Sequence, residues 1–227
     1  MSPVLEKTAI AREVALDLPA GGLVNLGIGL PILVARHLGV GPEIIVHSEN
    51  GIVGMGEPPA AGSEDWNLID AGKGAVTLVR GGSYISHADS FALIRGGHID
   101  VSVMGAMQVS GRGDLANWWT GDGIPGVGGA MDLAAGARKV VVIMRHVSPE
   151  GEPKIVPECT APLTARSVVS RIYTEYGLFE PRDGELIVHG LAPEITVADL
   201  RAITGVPVRE ADRIIKLPRE RTGASDE

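Results

Sequence analysis

The residues best suited to act on a ligand fall into three short blocks. The first runs Val46-His-Ser-Glu-Asn-Gly-Ile-Val-Gly-Met-Gly56. A brief apolar run, Ile44 to Val46, stops at Ser48-Glu49-Asn50-Gly51, and more glycines stand at 54 and 56. An acidic residue at a strand end, inside a glycine-rich turn, leaves an element that is otherwise buried. That arrangement presents one carboxylate to a ligand and suits nucleophilic chemistry. A turn glutamate facing solvent is the plain alternative. The second block, Asn25-Leu-Gly27-Ile-Gly29, puts glycines after a strand, where backbone can approach a phosphate. It lacks the third glycine of a dinucleotide fingerprint and the spacing of a Walker loop, so nucleotide binding has little support. The third, Gly126-Val-Gly128-Gly129-Ala-Met-Asp132, offers free N–H groups ahead of a helix, suited to an oxyanion or a carbonyl oxygen. Its plain reading is a loop.

Other chemistries find less. The histidines at 37, 47, 87, 98, 146 and 189 do not fall at metal-ligand spacings, and no cysteine cluster joins them. His47 stands two residues before Glu49 and reads as structural. No Gly-x-Ser-x-Gly elbow occurs, so a serine triad is unsupported. Cys159, the single cysteine, permits no intrachain disulfide and fits a reducing compartment. It reads as a structural thiol. Trp118 and Trp119 are adjacent in a chain with 4% aromatics, which suggests core packing or a subunit interface.

These blocks need elements to hold them. Helical spacing of apolar residues covers 3–18 and ends at Gly21-Gly22; Leu23 to Leu26 is a strand, and Ile32 to Leu38 a helix with Pro31 near its first turn. Further strands are expected at 44–46, 76–79, 101–104, 139–144 and 186–188. Helices are expected at 91–94, at 163–176, and at 195–203, the last opened by Thr196 with Asp199 three residues on. Strands alternating with short helices predict an α/β fold, a mostly parallel open sheet with helices on both faces. Ligands in such sheets sit at the carboxyl ends of the strands, where Gly27, Gly29 and Glu49 fall. One domain is expected over 1–217, followed by a polar tail, 218–227, expected to fray.

At 227 residues and 44% hydrophobic composition the chain can bury a substantial core and is not a disordered one. A net charge of −8 without a basic cluster argues against nucleic-acid binding. No run approaches the roughly 18 uncharged apolar residues of a membrane span, and no signal peptide opens the chain. A cytoplasmic location is expected.

Taken in order, eight blocks carry a resemblance: Val24-Asn-Leu-Gly-Ile-Gly-Leu-Pro31, Ser48-Glu-Asn-Gly-Ile-Val-Gly-Met-Gly56, Ala71-Gly-Lys73, Ala88-Asp-Ser-Phe-Ala92, Ile94-Arg-Gly-Gly-His-Ile-Asp100, Gly105-Ala-Met-Gln-Val109, Gly113-Asp-Leu-Ala-Asn-Trp118 and Gly128-Gly-Ala-Met-Asp-Leu133. From about residue 4 to about residue 205 the chain resembles the β subunit of the family I 3-oxoacid coenzyme A-transferases, of succinyl-CoA:acetoacetate or succinyl-CoA:3-oxoadipate type. The Asp114-to-Thr120 and Ile124-to-Ala134 runs resemble the 3-oxoadipate branch more closely. The resemblance implies that Glu49 is the catalytic glutamate and that the Gly129 N–H contributes to an oxyanion hole. It places Asn25 and Asn117 along the site and Lys73 near bound coenzyme A, with Gly27, Gly29, Asn50, Gly51 and Gly128 completing the binding surface. Departures occur at Glu57, at Asp70 and at Val79-Arg80-Gly81, where the family usually has Pro, Asn and Leu-Pro-Gly; any of these could line the substrate entrance.

The implied mechanism passes CoA from an acyl-CoA such as succinyl-CoA to a 3-oxo acid through a glutamyl-CoA thioester on Glu49, with no metal and no permanently bound cofactor, coenzyme A being a substrate. Glu49 must remain ionised, and Asn50 with nearby backbone N–H groups could support that. A separate α subunit completes the site, giving αβ or α2β2 assembly. Two rival readings are a CoA-ester hydrolase or ring-opening enzyme on the same scaffold, and a non-catalytic metabolite-binding relative.

Overall fold

A computed structural model describes residues 4–40, 43–119 and 126–218. In chain order the first half contains α1 (Lys7–Leu16), β1 (Leu23–Leu26), a 3-10 helix (Leu30–Val40), β2 (Ile45–Ser48), β3 (Ile52–Met55), β4 (Leu78–Tyr84) and α2 (His87–Arg95). Then come β5 (Val101–Met104), β6 (Gln108–Ser110), β7 (Leu115–Ala116), α3 (Ala130–Gly136), β8 (Lys139–Ile143) and β9 (Ile155–Val156). The C-terminal part adds β10 (Val169–Thr174), β11 (Gly177–Arg182), β12 (Glu185–Leu191), α4 (Val197–Ile203) and β13 (Val208–Lys216).

Ten strands form one sheet in the order β13-β12-β11-β10-β8-β5-β1-β2-β3-β4. Its centre, β10-β8-β5-β1-β2, is parallel throughout, while hairpins β2-β3-β4 and β10-β11-β12 extend it antiparallel on either side. A second, three-stranded sheet, β7-β6-β9, packs nearby. Each central strand sends alternate residues to opposite faces. Val141 and Ile143 of β8 join Val24, Val101 and Val103 in a core covered by Ile10 and Val14 of α1 and Val34 of the 3-10 helix. Val140 and Val142 face the other way, onto Ile94 of α2 and Leu133 of α3. Helices thus cover both faces, and the unbroken Val-Val-Val-Ile run of β8 follows from burial on both sides.

Several sequence expectations change. The stretch 163–176 is not a helix: Ser167 takes a left-handed φ of 52°, and β10 follows it, paired parallel with β8. Its apolar spacing fits either period, but Val169, Ile172, Tyr173 and Thr174 are β-branched or aromatic and favour a strand. The segment after Pro31 winds as a 3-10 helix. The strand expected at 76–79 lies at Leu78–Tyr84, where half-exposed Arg80-Gly-Gly-Ser hides it from a hydrophobicity reading. The helix expected at 91–94 begins four residues earlier, capped by Ser86, whose hydroxyl accepts from the Asp89 N–H. At α4 the Thr196/Asp199 capping box forms as expected. All of the expected tail beyond Pro218 lies outside the described residues, as do Ile124 and Pro125. No helix among the described residues is long and apolar enough to cross a membrane.

Candidate active site

Adjacent strands β5, β1 and β2 end together, and each runs at its carboxyl end into a polar or glycine turn: Gly105, Gly27 and Glu49. A cleft of about 380 Å³ opens there, within the usual size of a small-molecule site. Asn25, Gly27, Glu49, Asn117, Gly128 and Gly129 line it, together with Ala71, Met104 and Trp118. A depression of about 440 Å³ lies instead between α1 and the flank of β10, β12 and β13. It sits on the far face of the sheet, away from the strand ends, and gathers none of these residues.

Glu49 stands one residue past β2, in a turn closed by the Gly51 N–H donating to the Ser48 carbonyl at 3.0 Å. Gly51 has φ 119°, and a Cβ there would lie 2.3 Å from the Ile85 carbonyl, so only glycine fits the turn. The Glu49 side chain is half-buried and reaches toward Gly129, the residue before α3. A Cβ on Gly129 would come within 2.8 Å of its Oε2. Burial raises the Glu49 pKa; the charge of His87 and the Gly129 backbone N–H, donating to the carboxylate, act against that rise. The balance between ionisation and shielding therefore rests on His87 and Gly129. Asn50 turns away, its amide donating to the Ile69 carbonyl at 2.7 Å.

The opposition of Glu49 and Gly129 is built by α2 and α3. Gly136 lets α3 lie against the end of α2, since a Cβ there would meet the Ile94 carbonyl at 2.3 Å. Arg95 of α2 grips Asp132 of α3 with two bonds, Nε–Oδ1 at 2.6 Å and Nη2–Oδ2 at 3.2 Å. Phe91 fills the space between, stacked on His87 with centroids 4.6 Å apart and beneath the Arg95 guanidinium.

Asn117 is held from two sides. Its amide donates to the Gly105 carbonyl at 3.2 Å, and its Oδ1 accepts from the Thr164 hydroxyl at 2.6 Å. Trp118 forms part of the cleft wall, with its indole N–H donating to the Leu163 carbonyl. The remaining expected positions fall outside the cleft. Gly29 is exposed with φ 83°, Gly51 lies beneath the turn, and Asn50 fastens the 57–76 loop. Lys73 projects from that loop into solvent. Asp70, one of the departures, is buried and accepts from the Gly74 N–H at 2.8 Å, while Ser48 Oγ accepts from the Ala71 N–H. It closes the Ala71-Gly-Lys73 loop from within and does not line an entrance. Cys159 is pushed up to about 11 by burial and by Asp114, which suits a structural thiol. Among the described residues no three His, Cys, Asp or Glu side chains are grouped to hold a metal.

Sequence reasoning passed over His87, Ser90, Phe91, Arg95 and Thr164 as site residues. The first four lie on α2, and a helical period drawn through 87–95 puts 87, 90, 91 and 94 on one side. That signal was available in the sequence.

A carboxylate facing a backbone N–H at the carboxyl ends of parallel strands defines an acyl-handling transferase site. The coenzyme A transferase family matches residues 7–202, and the chain belongs to it. It is one component of a transferase of that family. Among its relatives, the β subunit of 3-oxoadipate CoA-transferase from Pseudomonas putida is 53% identical over 206 residues, covering 90% of this chain and 96% of that one. The β subunit of succinyl-CoA:3-ketoacid coenzyme A transferase from Helicobacter pylori is 50% identical over 175 residues, covering 77% and 84%. The fold matches a crystal structure of an acyl-CoA transferase from Escherichia coli O157:H7 with a TM-score of 0.73 at 18% identity. That match covers 94% of this chain and 43% of the longer one.

Proposed function

We propose that this chain is the β subunit of a 3-oxoacid CoA-transferase that moves CoA from succinyl-CoA to 3-oxoadipate, with Glu49 as the nucleophile. The observation that carries the reading is the Glu49 carboxylate held against the Gly129 N–H in the cleft. A Glu49 oxygen attacks the thioester carbonyl, and collapse of the tetrahedral intermediate expels CoA thiolate and leaves a mixed anhydride. The thiolate then attacks the glutamyl carbonyl carbon, releasing succinate and leaving CoA on Glu49 as a thioester. The carboxylate of the incoming 3-oxo acid attacks that thioester, and the same two steps run in reverse.

Gly129 fits one step of this sequence in particular. Its N–H already donates to a Glu49 carboxyl oxygen, so it points at the atom that becomes an oxyanion when thiolate adds to the glutamyl carbon. A raised Glu49 pKa is consistent with a desolvated, more reactive carboxylate, and His87 with Gly129 favours its ionised form. Apolar Met104, Leu133 and Trp118 help keep water from the anhydride.

Coenzyme A enters as a substrate, and the mechanism calls on no permanently bound cofactor. The names of the relatives, each a β subunit, support an α partner, and the E. coli chain is long enough to hold a second such unit. We assign αβ or α2β2 assembly and a cytoplasmic site of action. Preference for 3-oxoadipate over acetoacetate rests on the Pseudomonas relative. Initial rates with succinyl-CoA and each 3-oxo acid test the proposal. Parallel double-reciprocal lines and a higher kcat/KM for 3-oxoadipate are expected. Converging lines would rule out the covalent route, and CoA release without an acceptor would favour the hydrolase reading.

A further inference from the structure

Beneath the Glu49 turn lies a line of three polar side chains that the transfer chemistry does not itself require. Asn25, His47 and Ser90 are 2%, 0% and 0% exposed. The parallel register of β1 and β2 pairs Asn25 with His47, so both project from the same face of the sheet. Asn25 Nδ2 is 3.1 Å from His47 Nδ1 and 3.3 Å from the His47 carbonyl oxygen. The second contact needs an N–H, which fixes the amide and makes Nδ1 the acceptor. At the other end His47 Nε2 is 2.9 Å from Ser90 Oγ, and Ser90 donates to the Glu49 carbonyl at 2.8 Å. A serine hydroxyl has one proton, and here it is given to Glu49. Ser90 must therefore accept from Nε2–H.

Every bond in the line thus runs the same way, from Asn25 through a neutral imidazole to the peptide oxygen of Glu49. Aligned bonds of this kind reinforce one another in a buried setting. Burial separately pushes His47 down to about 4, so the neutral form dominates at physiological pH. The β2–β3 ladder ends at Ser48–Ile52 and the turn's own bond uses the Ser48 carbonyl. The Glu49 peptide is therefore held by Ser90.

We infer that His47, acting through Ser90, is a positioning residue that fixes the peptide of Glu49 and hence the reach of its carboxylate toward Gly129. Ser90 sits on the helix that also carries Phe91, whose Cζ would be 3.0 Å from a Cβ on Gly129. One helix therefore references both the attacking group and its oxyanion donor. The inference rests on the proposed nucleophilic role of Glu49.

The test measures how fast the Glu49 peptide gains a CoA thioester after mixing the enzyme, with its partner subunit, with succinyl-CoA. In His47→Leu and Ser90→Ala that rate should fall about 10- to 100-fold, with KM for succinyl-CoA within about twofold of the parent. His47→Gln keeps an acceptor and a donor and should restore most of the rate. The double variant should be no slower than Ser90→Ala. If His47→Leu does not fold, Ser90→Ala and His47→Gln carry the test. A parental rate in Ser90→Ala, or a His47→Gln as slow as His47→Leu, overturns the inference. Absence of the thioester in the parent enzyme overturns the Glu49 assignment instead.

Discussion

Gly129→Ala isolates the approach of Glu49 to its donor, because almost nothing else changes. Gly129 has φ −81° and ψ 1°, which alanine adopts without strain, and the N–H that faces the carboxylate is retained. What changes is space. The added methyl would lie 2.8 Å from Glu49 Oε2, 3.0 Å from its Cδ and 3.0 Å from Phe91 Cζ, where ordinary contact begins near 3.4 Å. The carboxylate must therefore retreat by about 0.6 Å (3.4 minus 2.8), and Phe91 closes the other way out. Misplacement by about 1 Å costs roughly 100-fold in rate, so 0.6 Å predicts a kcat loss of about 10- to 50-fold, or about 1.4–2.3 kcal/mol. KM for succinyl-CoA should barely change. Stability should hold or rise slightly, since Gly→Ala at a compatible position contributes about 0.4–1 kcal/mol through the unfolded chain. Steady-state kinetics beside a thermal melt separates the two effects. A folded Gly129→Ala enzyme with kcat within twofold of the parent would refute the geometry.

Three further outcomes follow from the same contacts. Glu49→Gln should abolish transfer yet raise Tm at neutral pH: the folded pKa lies above the unfolded one, so the penalty for ionising Glu49 is absent below the ordinary carboxylate range and complete above its raised pKa. The Tm gain should therefore vanish in acid, and equal melts at pH 7 would contradict it. His47 and His146 are both pushed down to about 4 by burial, so folding stability should fall as pH drops from about 6.5 toward 4, by on the order of 3 kcal/mol from each. Denaturant titrations across that window check this, and a flat profile would count against it. Arg95→Leu should leave Tm nearly unchanged, because the pair with Asp132 is exposed, but lower kcat several-fold by loosening α3. The exchanged pair Arg95→Asp with Asp132→Arg should recover part of that loss, and no recovery would indicate that the ion pair does not set the position of α3.

Much of the site was legible because its elements are short and sharply punctuated. The Ile-Val run broken by Ser-Glu-Asn-Gly, and the Leu-Val-Asn-Leu run broken by Gly27, each placed a strand end where the cleft opens. What stayed hidden was long-range. The register that sets Asn25 beside His47 joins residues 22 apart, and the contact of Ser90 with Glu49 joins residues 41 apart. Neither leaves a local pattern, so His47 read as an isolated structural histidine. The C-terminal strands were missed for a different reason. Residues 163–176 carry an apolar spacing that both periods accept, and only pairing with β8 decides it. Lys73 and Asn50 were grouped with the site through their motifs, whereas the fold gives Asn50 to the 57–76 loop and leaves Lys73 in solvent.

The most direct measurement is mass spectrometry of the peptide holding Glu49, taken from the enzyme and its partner subunit after exposure to succinyl-CoA and then borohydride. The account predicts a mass change at Glu49 from reduction of a glutamyl-CoA thioester, and its loss when 3-oxoadipate is added before the borohydride. An unmodified Glu49 in an enzyme that still consumes succinyl-CoA would contradict the central claim.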